Sequence, residues 1–303
     1  MMKSKLPILI LAYNRPDLIV PVMQVIQTYQ PPRLYLACDG PREQKQGDAE
    51  RVAETRQIMK QAVNWQCETH YLFREQNLGC ARGVYEAITW FFEHEEYGVI
   101  IEDDVIVSQD FFRLCEDLLP RYKNADRIMQ IASRNTSGRT DINNTYVYSQ
   151  AFHCWGWASW RRAWQCMDMQ MRGIAKATIP YLVSRLGLFR GCMMYYYFKS
   201  MHAHLEQSTS WATRWYLSIL CHDGLVVCPG ANLGINIGMS KGEHYTSSDV
   251  NSPAFRYPLR PFAWPIVYND EMQIEKEQKS YDSRYFWQER MYGLFHKKLG
   301  LGK

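Results

Sequence analysis

An apolar run ends in three successive carboxylates at Gly98-Val99-Ile100-Ile101-Glu102-Asp103-Asp104. Adjacent acids at the end of a buried strand repel one another, and a bound cation would remove that cost. Oxygen ligands with several open positions suit Mg2+ or Mn2+, which would also contact the phosphates of a ligand. In an open α/β sheet, the C-terminal edge of the strands is where ligands bind. The competing reading is a solvated acidic turn ahead of the next helix, with Ser108 or Asp110 as the cap.

The elements that must position this cluster alternate in type. Residues 6–13, 33–38, 69–74 and 97–101 are nearly continuous in apolar or β-favouring side chains, as strands buried on both faces should be. Between them, 16–29, 48–63 and 78–93 repeat apolar residues every three to four positions and read as helices, followed by 109–122. Pro16 at a first helical position and Asp48 as a cap fit the start signals. This alternation predicts an α/β fold with a doubly wound, mostly parallel sheet. Farther on, 127–132, 146–152 and 225–228 read as strands, and 158–167, 191–204 and 211–223 as helices. Residues 281–298 form an aromatic and basic helical pattern that either docks on the core or makes peripheral contact with a membrane.

The chain has 303 residues, 47% of them hydrophobic and 14% aromatic, which suits one large α/β enzyme with a sizeable core. A net charge of +4 without a basic stripe argues against nucleic acid and leaves room for a small anionic ligand. Nine Cys show no metal-site spacing, and no stretch approaches the ~20 apolar residues of a membrane span. The expectation is a cytoplasmic protein with reduced thiols, in which the sequons at Asn135 and Asn143 carry no meaning.

The segment YGVIIEDDVIVSQDFF from Tyr97 closely resembles the acidic motif of the N-acetylglucosaminyltransferase I family and related bacterial glycosyltransferases. That resemblance implies a GT-A fold, with Asp104 as metal ligand and Glu102 and Asp103 lining the donor site. Other segments fall in the family's order, and the resemblance spans about residues 6–248. Ala12-Tyr13-Asn14-Arg15-Pro16 resembles the first strand and its turn, where Arg15 would contact donor ribose or phosphate. Ala37-Cys38-Asp39-Gly40 is similar to the second-strand motif whose Asp bonds the nucleotide base. Asn77-Leu78-Gly79 with Ala81-Arg82-Gly83 resembles the loop feeding the diphosphate region, which brings in Arg82. Phe152-His153-Cys154-Trp155-Gly156-Trp157 resembles the Gly-Trp segment near sugar and acceptor, so Trp155, Gly156, Trp157 and the later Trp211 belong to the acceptor side. PGANLGINIGMSKGEH, from Pro229, resembles the late loop in which His244 would contact metal or phosphate.

One departure bears on catalysis. The family places an acid directly before a Trp as the base for inverting transfer, whereas this chain has Ser208-Thr209-Ser210-Trp211. Ser and Thr lack the basicity to take a hydroxyl proton near neutral pH, so Glu206 stands in, ahead of Asp223. The reading implies a metal-dependent, inverting glycosyltransferase that takes a UDP-sugar and a glycan or lipid-linked acceptor. A catalytic region at 1–250 would divide into a donor half, 1–125, and an acceptor half, 126–250, with 251–303 as an extension. The alternatives are a catalytically impaired carbohydrate-binding protein and a sugar-phosphate nucleotidyltransferase. Against the last, Asn14-Arg15-Pro16-Asp17 stands where such enzymes carry a Gly-rich loop.

Overall fold

The structure is a computed structural model that describes residues 5–139, 141–238 and 257–298, with side chains described as far as residue 289. Its first half alternates as the periodicity predicts: β1 (Ile8–Ala12), α1 (Pro16–Tyr29), β2 (Arg33–Cys38), α2 (Asp48–Ala62), β3 (Glu68–Phe73), α3 (Gly79–His94) and β4 (Tyr97–Glu102). The short strand β5 (Val105–Val107) and α4 (Gln109–Arg121) follow. Then come β6 (Ile128–Ala132), β7 (Tyr146–Ser149), β8 (Trp157–Trp160), α5 (Arg161–Trp164), α6 (Ile179–Leu186), α7 (Leu188–Ala203), α8 (Trp211–Cys221), β9 (Leu225–Pro229), β10 (Gly234–Asn236) and α9 (Lys276–Lys298).

Eight strands form one sheet in the order β3-β2-β1-β4-β8-β6-β9-β7, and β5 pairs with β10 in a separate ribbon. Pairing is parallel from β3 through β4 and again between β6 and β9, while β8 and β7 run antiparallel to their neighbours. The fold is therefore α/β with a mostly parallel central sheet, and both halves of the chain build it. The central strands β1, β2 and β4 are buried on both faces, which is why they read as continuous apolar runs rather than alternating ones.

The helix expected over 158–167 is a correction. Trp157–Trp160 is a strand with all four residues buried, and only Arg161–Trp164 turns helical. The insertion of β8 between β4 and β6 decides this, with Trp157 opposite Ile100 on one side and Ala132 on the other. Periodicity cannot separate a short, wholly buried strand from a buried helix. The strand expected over 146–152 stops at Ser149, and β5, β10 and α6 were not anticipated.

The chain after residue 257 returns to the core. Asp110, at the start of α4, accepts the Phe262 N–H at 3.0 Å and the Trp264 indole N–H at 2.8 Å. The hydroxyls of Tyr122, Tyr146 and Tyr148 gather around the Asn269 carbonyl, with Tyr148 donating to it at 2.6 Å. On α9, Asp282 accepts from Ser149 of β7 at 2.6 Å and is 5% exposed. The described part of α9 thus docks on the sheet through a polar seam. No described helix is long and apolar enough to cross a membrane.

Asp110 holds two N–H donors of the returning segment at once. Replacing it by Ala should cost about 1–3 kcal/mol of unfolding free energy in chemical denaturation, because both buried donors lose their acceptor.

Candidate functional site

Strands β1 and β4 are parallel neighbours with Leu11 opposite Glu102, so the residues that follow each strand meet at one edge of the sheet. The chain runs from β1 outward to β2 and β3 on one side and returns as β4 on the other. That reversal opens the crevice in which α/β folds hold their ligands. The turn Tyr13-Asn14-Arg15 lies on one side of the crevice and Asp103-Asp104 on the other. Asp103 accepts the Tyr13 main-chain N–H at 3.1 Å. The Arg15 Nη1 lies 2.7 Å from Asp104 Oδ2 and 3.3 Å from Asp103 Oδ1.

Asp103 and Asp104 are only 5% and 8% exposed. Burial, with the neighbouring carboxylates adding to it, pushes the Glu102 carboxyl above its ordinary range. Burial also raises Asp103, against the opposing pull of Arg15. The cluster is therefore short of positive charge even with Arg15 in place. Asp104 Oδ1 is buried and has no hydrogen-bond partner. An unpaired buried carboxylate oxygen is costly, and it is the kind of hard donor that a divalent ion takes. Among the described residues no group of three His, Cys, Asp or Glu side chains could hold a metal by itself. Of the described residues, Asp104 would contribute one oxygen to such a site, and Mg2+ commonly fills further positions with ligand oxygens and water.

A second carboxylate holds the Arg15 turn in place. Asp48, the first residue of α2, turns inward and is 1% exposed. It accepts from Asn14 Nδ2 at 2.5 Å, from the Arg42 main-chain N–H at 2.8 Å, and from the Tyr13 hydroxyl. Arg51 adds a bond from its Nε to the Asn14 carbonyl at 3.0 Å. Burial alone would raise the Asp48 carboxyl, but Arg42, Tyr13 and Asn14 overcome it and hold it well below the ordinary carboxylate range. Sequence reasoning took Asp48 only as a helix cap. Its one further signal was an acid beginning the helix that follows the second strand.

The other wall comes from β10, which pairs antiparallel with β5. The Ile237 N–H donates to the Asp104 carbonyl at 2.8 Å. A Cβ on Gly238 would stand 2.5 Å from Asp104 Oδ2, so only glycine leaves the carboxylate its place. The part of the late loop that carries His244 lies outside the described residues.

Several expected residues are placed elsewhere. Asp39 accepts the main-chain N–H groups of Leu78 and Gly79 at 3.0–3.1 Å, capping α3 rather than offering its carboxylate to a base. An orphan helix N-terminus one strand away is the stronger claimant on that carboxylate. Arg82 lies on the solvent face of α3, paired with Glu86 at 2.7 Å. Trp157 and Trp211 are 0% and 3% exposed and stack at 5.8 Å between Trp164 and Trp215, so both rings are core and neither presents a face to a sugar. Gly156 adopts φ +70° where a Cβ would meet Val107 at 2.4 Å; it lets this segment cross β5. Glu206 is exposed on the turn between α7 and α8, and no described contact ties it to the acids. Asp223 is engaged by Arg185 and Tyr181. Ser210, in the segment lacking the expected acid, caps α8 through the Thr213 N–H at 3.2 Å.

Trp155 alone of the four acceptor-side residues borders open space. With Cys154 it lines a cavity of about 240 Å³. The Cys154 thiol is pushed up by burial and then by the charges of Glu102 and Asp104.

No family model matches the chain, and no curated protein sequence is detectably similar to it. Among solved structures, HddC from Yersinia pseudotuberculosis is similar at 10% identity and a TM-score of 0.32, covering 52% of this chain and 77% of its own. An apo UDP-glucose pyrophosphorylase shares 8% identity at a TM-score of 0.34 over 74% of this chain and 90% of its own. A UDP-glucose pyrophosphorylase complexed with UDP-glucose shares 11% at 0.26, over 49% and 64%. At these scores none of them assigns an activity or a residue to this chain.

Two outcomes follow from the geometry. The Asp48 carboxyl titrates lower folded than unfolded, where it sits near 3.9. Its contribution is thus present above about pH 4 and lost as pH falls through the folded value, and the Asp48→Asn variant should show a flatter loss of stability below about pH 4 in acid denaturation. Gly238→Ala should keep the fold but cost about 1–3 kcal/mol from overpacking against Asp104, read by thermal unfolding.

Proposed function

We propose that the chain is a glycosyltransferase that binds a nucleoside-diphosphate sugar at the crevice between β1 and β4. The observation that carries this reading is the buried Asp104 carboxylate with Oδ1 unpartnered, set at the strand edge beside Arg15. The resemblance of the acidic motif to nucleotide-sugar glycosyltransferases supports it, with UDP as the donor base and Mn2+ or Mg2+ on Asp104. When bound, the divalent ion supplies positive charge to the leaving diphosphate as negative charge accumulates there.

The protein's own groups have separable tasks. Asp104 keeps one buried oxygen without a hydrogen bond among the described residues, and Asp103 is clamped by the Tyr13 N–H so that the pair keeps its spacing. Arg15 offsets part of the negative charge of Asp103 and Asp104. The planar guanidinium of Arg15, at the same edge, could pair with a phosphate of the donor in a bidentate manner. The Asp48 network holds the Arg15 turn independently of that pairing, because its bonds involve Tyr13 and Asn14 rather than Arg15. The acceptor would approach from the Trp155 side, where the cavity lies.

The test is a thermal-unfolding titration with UDP and UDP-sugars, with and without Mn2+. At a hundredfold excess over Kd, stabilisation should reach about 2.7 kcal/mol. Asp104→Asn should lose the Mn2+-dependent part and keep its ligand-free stability within about 1 kcal/mol. An unchanged Mn2+ response in that variant would sink the role of Asp104. In product assays, consumption of a sugar 1-phosphate with release of pyrophosphate would instead identify a nucleotidyltransferase.

A further inference from the structure

The cavity of about 240 Å³ is walled by the segment between β7 and β8, by α7 and α8, and by α9. At ~30 Å³ per water it has room for roughly eight waters, the bulk of one substituted sugar ring and too little for a nucleotide. Aromatic rings line much of it, including Trp155, Tyr216 and Phe286. Flat π-faces beside polar groups suit a ring with one apolar and one hydroxylated side.

Its charged groups are unevenly satisfied. Arg134 lies over the Trp155 ring at 4.1 Å and reaches the Tyr285 hydroxyl at 3.3 Å. Arg190 is 7% exposed and donates to the Tyr216 hydroxyl at 2.8 Å. Among the described residues its Nε is buried without a hydrogen-bond partner and it makes no ion pair. The nearby acid, Asp282, has both oxygens committed, to Ser149 at 2.6 Å and to Gln278 at 2.7 Å. Burial raises the Asp282 carboxyl toward its neutral form, against the opposing pull of Arg190, which stays beyond ion-pair distance. Glu289, the other acid of the lining, is itself engaged. His153 is lowered to about 3 by burial and by the two guanidinium groups, so it stays neutral and adds no counter-charge.

The fold places Arg190 there with some force. It interrupts the otherwise apolar start of α7, where Gly191 lets α7 press against α6: a Cβ on Gly191 would stand 2.6 Å from the Val183 nitrogen. That contact turns the preceding side chain into the cavity. A buried guanidinium without an ion pair is unfavourable, and an anion that meets it relieves that cost. Arg190 also lies 5.7 Å from the Phe286 ring centroid, so the guanidinium is held between two aromatic side chains of the lining.

We infer that this cavity binds a single sugar unit carrying an acidic substituent, a carboxylate or a phosphate, read by Arg190 between the aromatic walls. The ligand's neighbourhood to the acid edge, and hence its place on the acceptor side of a transfer, rests on the proposed function. The recognition itself rests on the cavity. It also makes α9 a wall of the binding site rather than an appendage.

The test measures binding of glucuronate, glucose 6-phosphate and glucose to the full chain by saturation-transfer NMR and calorimetry, with no nucleotide or divalent ion present. One or both acidic sugars should bind at least about tenfold tighter than glucose, as a charge-assisted bond to a buried guanidinium implies. The two acidic probes decide between carboxylate and phosphate. Arg190→Gln should abolish the preference, and Arg190→Lys should restore only part of it. Equal binding of all three sugars, or an unchanged preference in Arg190→Gln, would overturn the inference. The comparison between sugars uses the unaltered chain, so it decides the matter even where a variant fails to fold. Because the assay omits nucleotide and metal, its failure leaves the reading of Asp104 standing, and the reverse also holds.

Discussion

The structure turns on the pairing of Arg15 with Asp103 and Asp104 across the ends of two neighbouring strands. Two nearly buried carboxylates beside a third acid are tolerable only with positive charge at contact distance. The parallel register of β1 on β4 brings that charge from a residue 88 positions away in the chain. Much of the first half serves to keep this contact in place. Asp48 and Arg51 fix the turn that carries Arg15, and the Tyr13 N–H fixes Asp103. The close approach of Gly238 confines Asp104. The unpartnered oxygen of Asp104 is what the arrangement leaves over, and a site is more economically read from such a remainder than from the acids themselves.

The second half works by exclusion. Trp157, Trp164, Trp211 and Trp215 pack into one buried cluster. The segment that precedes Trp157 then passes over β5 at Gly156 and leaves Trp155 facing the cavity. Two tryptophans with a single glycine between them thus have opposite environments. The strand that begins at Trp157 takes one ring into the core and the crossing before it turns the other out. The chain after residue 257 completes the enclosure by laying α9 along β7.

The order of elements in the first half was legible because each strand there is buried on both faces and each helix has one apolar side. Local patterning and global position agree in that situation. The acidic cluster at the strand edge was legible for a similar reason: adjacent carboxylates after an apolar run have few structural uses. Asp39 misled because a carboxylate in a turn gives no sign of which N–H groups will reach it, and here they come from the loop 39 residues further on. Trp157 and Trp211 misled because a Trp is equally suited to a core and to a sugar. Glu206 was chosen for its place in sequence, and its place in sequence did not bring it to any described group of the site.

By itself, the amino-acid sequence determined the alternation of strands and helices, the α/β class and the position of the acidic edge. Those properties follow from hydrophobic periodicity and from the electrostatic cost of like charges, both of which act over a few residues. Only the tertiary structure decided that 157–160 is a strand, that Asp48 is an anchor for the Arg15 turn, and that Arg190 faces a cavity closed by α9. Each of these depends on which distant backbone or side chain arrives as a partner. Burial, which sets the worth of a charge or a ring, is a property of the assembled layers rather than of any segment.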